Sequence, residues 1–134
     1  MDYGWDLSPD GARIAILKRS EGRIHILSLG ASASPEIVVK GGSSLQSLNW
    51  AADNMGWFVS CLTKGGWALL HVDLQGNAHL LWEPQGSTSP WNGPTVPGWF
   101  GTPSAPWAVP SPDGRHLAIY DWKLSANIWM IENF

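Results

Sequence analysis

The sequence predicts an all-β protein, and three observations support this prediction. Fifteen glycines and ten prolines interrupt the chain so often that no window of about 12 residues is free for a helix. Short apolar runs alternate with turn residues, which is typical of strands joined by tight connections. The ten tryptophans are also suited to strands, because large aromatic side chains pack well on a half-buried pleated surface.

One short motif occurs three times along the chain. Each copy has a strand start, a turn that contains an aspartate, and a second apolar run; the aspartates are Asp10, Asp53 and Asp113. They recur at intervals of about 40 and about 60 residues, and a period near 40 built from strands and turns is typical of a β-propeller. The sequence therefore predicts propeller blades, each a four-stranded antiparallel sheet.

The predicted propeller segment spans residues 1–134 as a single domain. The first blade is expected over about 4–40 and the second over about 45–84. A third blade, over about 107–134, is expected to lack its outer strand. The extra residues between the second and third blades form an insert over about 85–106 that is rich in tryptophan, proline and glycine.

The repeated turn has a clear structural role. In Ser8-Pro9-Asp10-Gly11, proline presets φ, the aspartate can accept hydrogen bonds from nearby amides, and glycine tolerates a positive φ. The second copy has Asn54 at the glycine position, and asparagine also tolerates the left-handed conformation. The three turn aspartates are therefore predicted to stabilise turns rather than to perform chemistry.

The insert provides the best candidates for ligand binding. Trp91, Trp99 and Phe100 lie within it, and Trp107 follows it. A disordered linker rarely carries so many large aromatic residues, so the insert is expected to be ordered. Its rings either pack the insert onto the blades or form an aromatic platform for a ligand.

A catalytic or metal site has weaker support. Asp6 and Asn49 occupy equivalent inner-strand positions, where side chains of a propeller can face the central channel, and Asp121 lies near a predicted blade rim. Such oxygen ligands can hold calcium, and a metal-bound water could attack an ester, as in a hydrolase or lactonase. The sequence has no nucleophile elbow and no zinc-binding pair. The histidines His25 and His71 are expected at related positions in third strands, with packing or surface roles.

Charge and hydropathy exclude several classes of function. The net charge is −3, and the eight basic residues do not form a cluster, which argues against nucleic acid as a partner. The single cysteine allows no disulfide within the chain. With neither a long apolar run nor a signal peptide, the chain is expected to have no membrane partner and to be cytoplasmic as written, or periplasmic within a larger sensor protein.

The turn Ser8-Pro9-Asp10-Gly11, its following apolar strand and the run 127–131 resemble the TolB-like, WD-related bacterial propellers. That resemblance implies a propeller fold with no fixed activity. Units of this type follow membrane-spanning or DNA-binding segments in bacterial signalling proteins, and they also precede the catalytic domain of prolyl-oligopeptidase-type peptidases. The second unit departs from the pattern, having Ala51-Ala52 in place of Ser-Pro. The final residues resemble the end of a natural propeller, as expected of the C-terminal part of a larger protein.

Three blades are too few to close a ring, since four is the usual minimum. The chain is therefore either a fragment with exposed faces or one half of a homodimer that forms a six-bladed ring. The function predicted from the sequence is a binding module for a peptide, sugar or protein ligand that needs no cofactor. The alternative is the calcium-assisted hydrolase, with its site in the channel.

Overall fold

The structure is a computed structural model, and it describes residues 3–30, 33–41, 43–63, 66–83 and 107–120. Regular structure in these ranges is β-strand, apart from one short 3-10 helix at Arg19–Glu21. The all-β prediction is therefore confirmed. The predicted strand at 127–131 lies outside the described residues.

The first two predicted units are each a four-stranded antiparallel sheet in which strands adjacent in sequence are hydrogen-bonded neighbours. The first sheet comprises β1 (Tyr3–Leu7), β2 (Arg13–Lys18), β3 (Arg23–Ser28) and β4 (Glu36–Val38). The second sheet comprises β5 (Ser43–Trp50), β6 (Gly56–Thr63), β7 (Gly66–Asp73) and β8 (Ala78–Trp82). A third pair, β9 (Trp107–Pro110) and β10 (Leu117–Tyr120), forms an antiparallel hairpin, called the third hairpin below.

The first two strands of each unit pair in the same register relative to the repeated turn. The residue just before the turn motif pairs with the second residue of the next apolar run in all three units. The three pairs are Leu7 with Ile14, Trp50 with Trp57, and Pro110 with Leu117. Because strand side chains alternate between faces, positions that correspond in sequence also lie on the corresponding face of each sheet.

The turn itself is the same structure in all three copies. Asp10 accepts hydrogen bonds from the Ser8 hydroxyl (2.6 Å) and from the amide of Ala12 (2.9 Å). Asp53 accepts from the amide of Met55 at 2.9 Å, and Asp113 accepts from that of Arg115 at 3.1 Å. The structural role predicted for these aspartates is confirmed.

Asparagine replaces glycine in the second turn without changing the backbone. The φ angle of Asn54 is +61°, close to +71° at Gly11 and +68° at Gly114. The left-handed conformation predicted for Asn54 is therefore confirmed, and it follows from the short polar side chain that lets asparagine tolerate this region.

The core lies between the first and second sheets. One face of the first sheet contributes Ala15, Leu17, Ile24, Ile26 and Ile37. These pack on the buried side chains Leu48, Trp50, Trp57, Val59 and Leu70 of the second sheet. The rings of Trp50 and Trp57 are 4.9 Å apart, and the Arg13 guanidinium lies 4.8 Å from the centroid of Trp50, close enough for a cation–π contact.

The expectation that His25 and His71 occupy related positions is wrong. His25 pairs with Ile16, whereas His71 pairs with Phe58, and the repeat places Ile16 and Phe58 on opposite faces of their sheets. By pairing, the residue that corresponds to His25 is Leu70, the partner of Val59, and His71 lies one position further along its strand. Because side chains alternate along a strand, this single position places the two imidazoles on opposite faces.

Gly76 is predicted to be far less replaceable than Gly41, although both have a φ of +80°. A Cβ at Gly76 would overlap the carbonyl oxygen of Val38, whereas nothing lies within 4 Å of one at Gly41. We expect Gly76→Ala to lower the free energy of unfolding by about 3 kcal/mol and Gly41→Ala by about 1 kcal/mol. Urea unfolding followed by tryptophan fluorescence measures both, and equal losses would contradict this prediction.

Acid is predicted to destabilise the fold through its turns. Hydrogen bonds from the Ser8 and Ser111 hydroxyls, and from nearby amides, lower the pKa of Asp10 and of Asp113. A carboxylate with a lowered pKa stabilises the fold above the pKa of the unfolded chain, about 4, and this contribution is lost as the pH falls through the folded pKa.

The double variant Asp10→Asn/Asp113→Asn keeps an oxygen acceptor at each turn but removes the two carboxyl groups that can be protonated. We expect the stability of this variant to fall less steeply below pH about 4 than that of the unmodified protein. Urea midpoints measured between pH about 2 and 6 test this, and an unchanged acid dependence would show that other groups cause the loss.

Candidate functional site

Asp6 joins the first and second sheets through hydrogen bonds. The backbone amide of Trp50 donates to Oδ2 of Asp6 at 2.8 Å, and the indole Nε1 of Trp50 donates to the Asp6 carbonyl oxygen at 3.2 Å. The other carboxylate oxygen, Oδ1, accepts from the amide of Leu7 at 3.0 Å. Both carboxylate oxygens therefore accept hydrogen bonds from backbone amides, and Asp6 holds the first and second sheets in position relative to each other.

Asn49 has the corresponding position one unit later. It occupies the register position of Asp6, and its Oδ1 accepts a hydrogen bond from the indole Nε1 of Trp107. Trp107 is 50% exposed. The structure thus brings Asn49 and Trp107, two predicted site residues, into direct contact where the second sheet meets the third hairpin.

A cavity of about 210 Å³ opens between the second sheet and the third hairpin. Its aromatic side is formed by Phe58 and His71, whose ring centroids are 5.5 Å apart. The hairpin side contributes the exposed residues Arg115 and His116. Asp53 also lines the cavity, with its Oδ1 bonded to the amide of Met55.

Polar and apolar side chains both line the cavity, with Phe58 and Leu117 among the apolar ones and Arg115 among the polar ones. The guanidinium of Arg115 is a permanent positive charge that can bind a carboxylate through paired hydrogen bonds. The two imidazoles can donate further hydrogen bonds. The cavity can therefore hold a small group with an apolar part and an acidic end.

The structure does not place the remaining predicted site residues at this cavity. Trp91, Trp99, Phe100 and Asp121 lie outside the described residues. Asp6 lies at the contact between the first and second sheets. Of the predicted residues, Asn49 and Trp107 are those placed beside the hairpin that forms one side of the cavity.

Metal-ligating side chains are not clustered in the described part of the chain. Within those ranges no group of three or more His, Cys, Asp or Glu side chains could hold a metal ion. The amide oxygen of Asn49 and both carboxylate oxygens of Asp6 already accept hydrogen bonds. No observation on the described residues therefore supports the calcium hypothesis.

Sequence reasoning missed the residues that line the cavity. Arg115 directly follows the glycine of the third repeated turn, so a signal for it existed in the repeat itself. Phe58 and His71 gave no such signal, because their neighbourhood depends on the pairing of Phe58 with His71 across β6 and β7. Only the register of the second sheet brings them together.

In the described ranges no helix is long and apolar enough to cross a membrane. A scan of the chain against protein-family models gives no match, and searches of curated proteins and of solved structures give none either. The resemblance to TolB-like propellers therefore stays a prediction.

Asp6→Ala is predicted to destabilise the protein by about 2 kcal/mol, because it leaves the partly buried amide of Trp50 without its acceptor. The matched control is Asp53→Ala, which removes an aspartate that bonds only within its own exposed turn. We expect that control to cost about 1 kcal/mol or less. Chemical unfolding of both variants makes the comparison, and a loss at Asp6 no larger than at Asp53 would refute the inter-sheet role.

Proposed function

We propose that this chain is a segment of a β-propeller and that it works as a binding module. Two four-stranded antiparallel sheets and the start of a third share one register and one turn structure, which is the repetition expected of propeller blades. In this proposal the sheets are consecutive blades, and a second copy of the chain completes a six-bladed ring. The inner strands β1, β5 and β9 would then line the central channel.

The cavity between the second sheet and the third hairpin is the observation that carries the proposed binding function. Its volume of about 210 Å³ is smaller than the roughly 300–1,000 Å³ of a pocket that encloses a whole small molecule. A cavity of this size suits a single side chain. This favours a peptide or protein ligand over a free metabolite or a sugar.

Arg115 is the group at the cavity that can bind an acidic residue of that ligand. It is exposed beside His116 on the third hairpin, whereas Asp53, whose carboxylate also lines the cavity and would repel an acidic group, belongs to the turn of the second sheet. A glutamate side chain has an apolar stem that would contact Phe58 and a carboxylate that could reach Arg115. We therefore propose a peptide or protein segment with an exposed acidic residue as the ligand.

Binding is predicted to depend on the cavity and on acidic ligands. An array of immobilised short peptides that differ in one central glutamate, glutamine or lysine provides the probe, and fluorescence polarisation then measures affinity for the best sequence. We expect Arg115→Ala and His71→Ala each to weaken binding about 30-fold, the effect of removing a hot-spot contact of about 2 kcal/mol.

Met55→Ala is the matched control, because Met55 has the position in the second turn that Arg115 has in the third and does not line the cavity. This variant should bind as the unmodified protein does. Addition of a chelator should leave binding unchanged, whereas the calcium-assisted alternative requires a loss. Equal binding of the glutamate and lysine peptides would refute the proposed ligand class.

A further inference from the structure

The first sheet has an apolar face that remains largely exposed. Trp5 is 70% exposed and Leu7 is 47% exposed, and the half-buried Ile14 and Ile16 pair with them across β1 and β2. Leu27, which pairs with Ile14, continues the same face onto β3 and is also exposed. A contiguous apolar surface of this kind marks an interaction site.

The repeat shows what normally covers this face. The positions in the second sheet that correspond to Trp5 and Leu7 are Leu48 and Trp50, which are only 6% and 2% exposed. They are buried by the opposite face of the preceding unit. The covering residues include Asp6, Ala15 and Leu17 of the first sheet.

The third hairpin carries an uncovered surface of the covering type. Its register places Val109 and Ala118 at the positions of Asp6 and Ala15. Both residues are exposed, Val109 by 45%. Among the described residues, the chain therefore has an exposed apolar face at its first sheet and, at its third hairpin, an exposed face of the type that covers it.

We propose that the exposed face of the first sheet, formed by Trp5, Leu7, Ile14 and Ile16, docks the Val109–Ala118 face of the third hairpin of a second copy. This inference rests on the proposed propeller architecture and specifies how its ring closes. The contact is head to tail, and it occurs twice in a dimer with twofold symmetry. Two identical contacts of this kind close the assembly, so no uncovered face of this type remains.

The proposed contact would leave no backbone amide without a hydrogen-bond acceptor at Leu7. Inside one chain, the amide of Trp50 needs the carboxylate of Asp6 from the neighbouring sheet. The corresponding amide, that of Leu7, already donates to Oδ1 of its own Asp6 at 3.0 Å. Val109 offers no side-chain acceptor, and none is needed. Burial of Leu7 against Val109 would leave this amide paired, which avoids the cost of an unsatisfied donor.

Other occupants of this face predict different results. Two first-sheet faces could meet each other, in which case Val109 would play no part. A segment of the same chain, or a neighbouring unit of a longer protein, could also cover the face, and the protein would then be monomeric. The experiment separates these outcomes because the proposed contact joins two different surfaces.

Light scattering after size-exclusion chromatography, at several concentrations, measures the assembly. We expect the unmodified chain to have twice the mass of 14.6 kDa. Leu7→Lys and Val109→Glu should each raise the dissociation constant at least about 30-fold, because each places an unpaired charge in an apolar contact. Both side chains are exposed in the isolated chain, so folding should be retained, and near-ultraviolet circular dichroism checks this.

Mixing the two variants gives the decisive result. In a mixed dimer, one contact has the Lys and Glu substitutions opposite each other and the other contact is unmodified, so dimers should return. Leu80→Glu is the control, because Leu80 is an exposed apolar residue on the outermost strand of the second sheet and belongs to neither proposed surface. It should dimerise as the unmodified chain does.

Three results would overturn the inference: a monomer at every concentration, dimers unaffected by Val109→Glu, or no recovery on mixing. Trp5→Glu is a second disruptive variant, should Leu7→Lys fail to fold. A peptide-binding measurement distinguishes failure of this contact from failure of the proposed function. Loss of dimers with acidic peptides still bound would refute this contact alone, and dimers without peptide binding would refute the binding function alone.

Discussion

The register between the first two strands of each unit is the constraint on which the rest of this structure depends. The repeated turn fixes it: a turn aspartate bonds backbone amides, and a residue with positive φ reverses the chain. Because strand side chains alternate, this register decides which residues enter the core between the sheets. It places Trp5, Trp50 and Trp57 on corresponding faces. Trp50 and Trp57 are buried because the first sheet covers that face of the second sheet, whereas Trp5 is exposed because no described unit covers the same face of the first sheet.

The inter-sheet contacts show how one repeat position is reused with different chemistry. Asp6 uses its carboxylate to bond a backbone amide of the next sheet, Asn49 uses its amide oxygen to bond an indole, and Val109 has no polar atom to offer. A carboxylate at such a position resembles a channel ligand when only the sequence is known. The structure instead places its oxygens against amides, where they hold neighbouring sheets in position.

The extent to which neighbouring units cover one another's faces links the fold to the proposed activity. Where two faces meet fully, as between the first and second sheets, the contact is a packed core. The second sheet and the third hairpin meet less completely, and the gap between them is the cavity beside Arg115 and His71. The proposed binding and the proposed assembly would thus arise from the same feature, since each depends on how completely one unit covers the next.

The sequence by itself determined the all-β class, the four strands of the first two units, and the roles of Asp10, Asp53 and Asp113, because turns and alternation are local properties. It did not determine the faces of His25 and His71, because only the pairing of the second and third strands shows that His71 lies one position past the counterpart of His25. Nor could it reveal the cavity, whose residues come from β6, β7 and the third hairpin. Those neighbours are distant along the chain, and only packing between units brings them together.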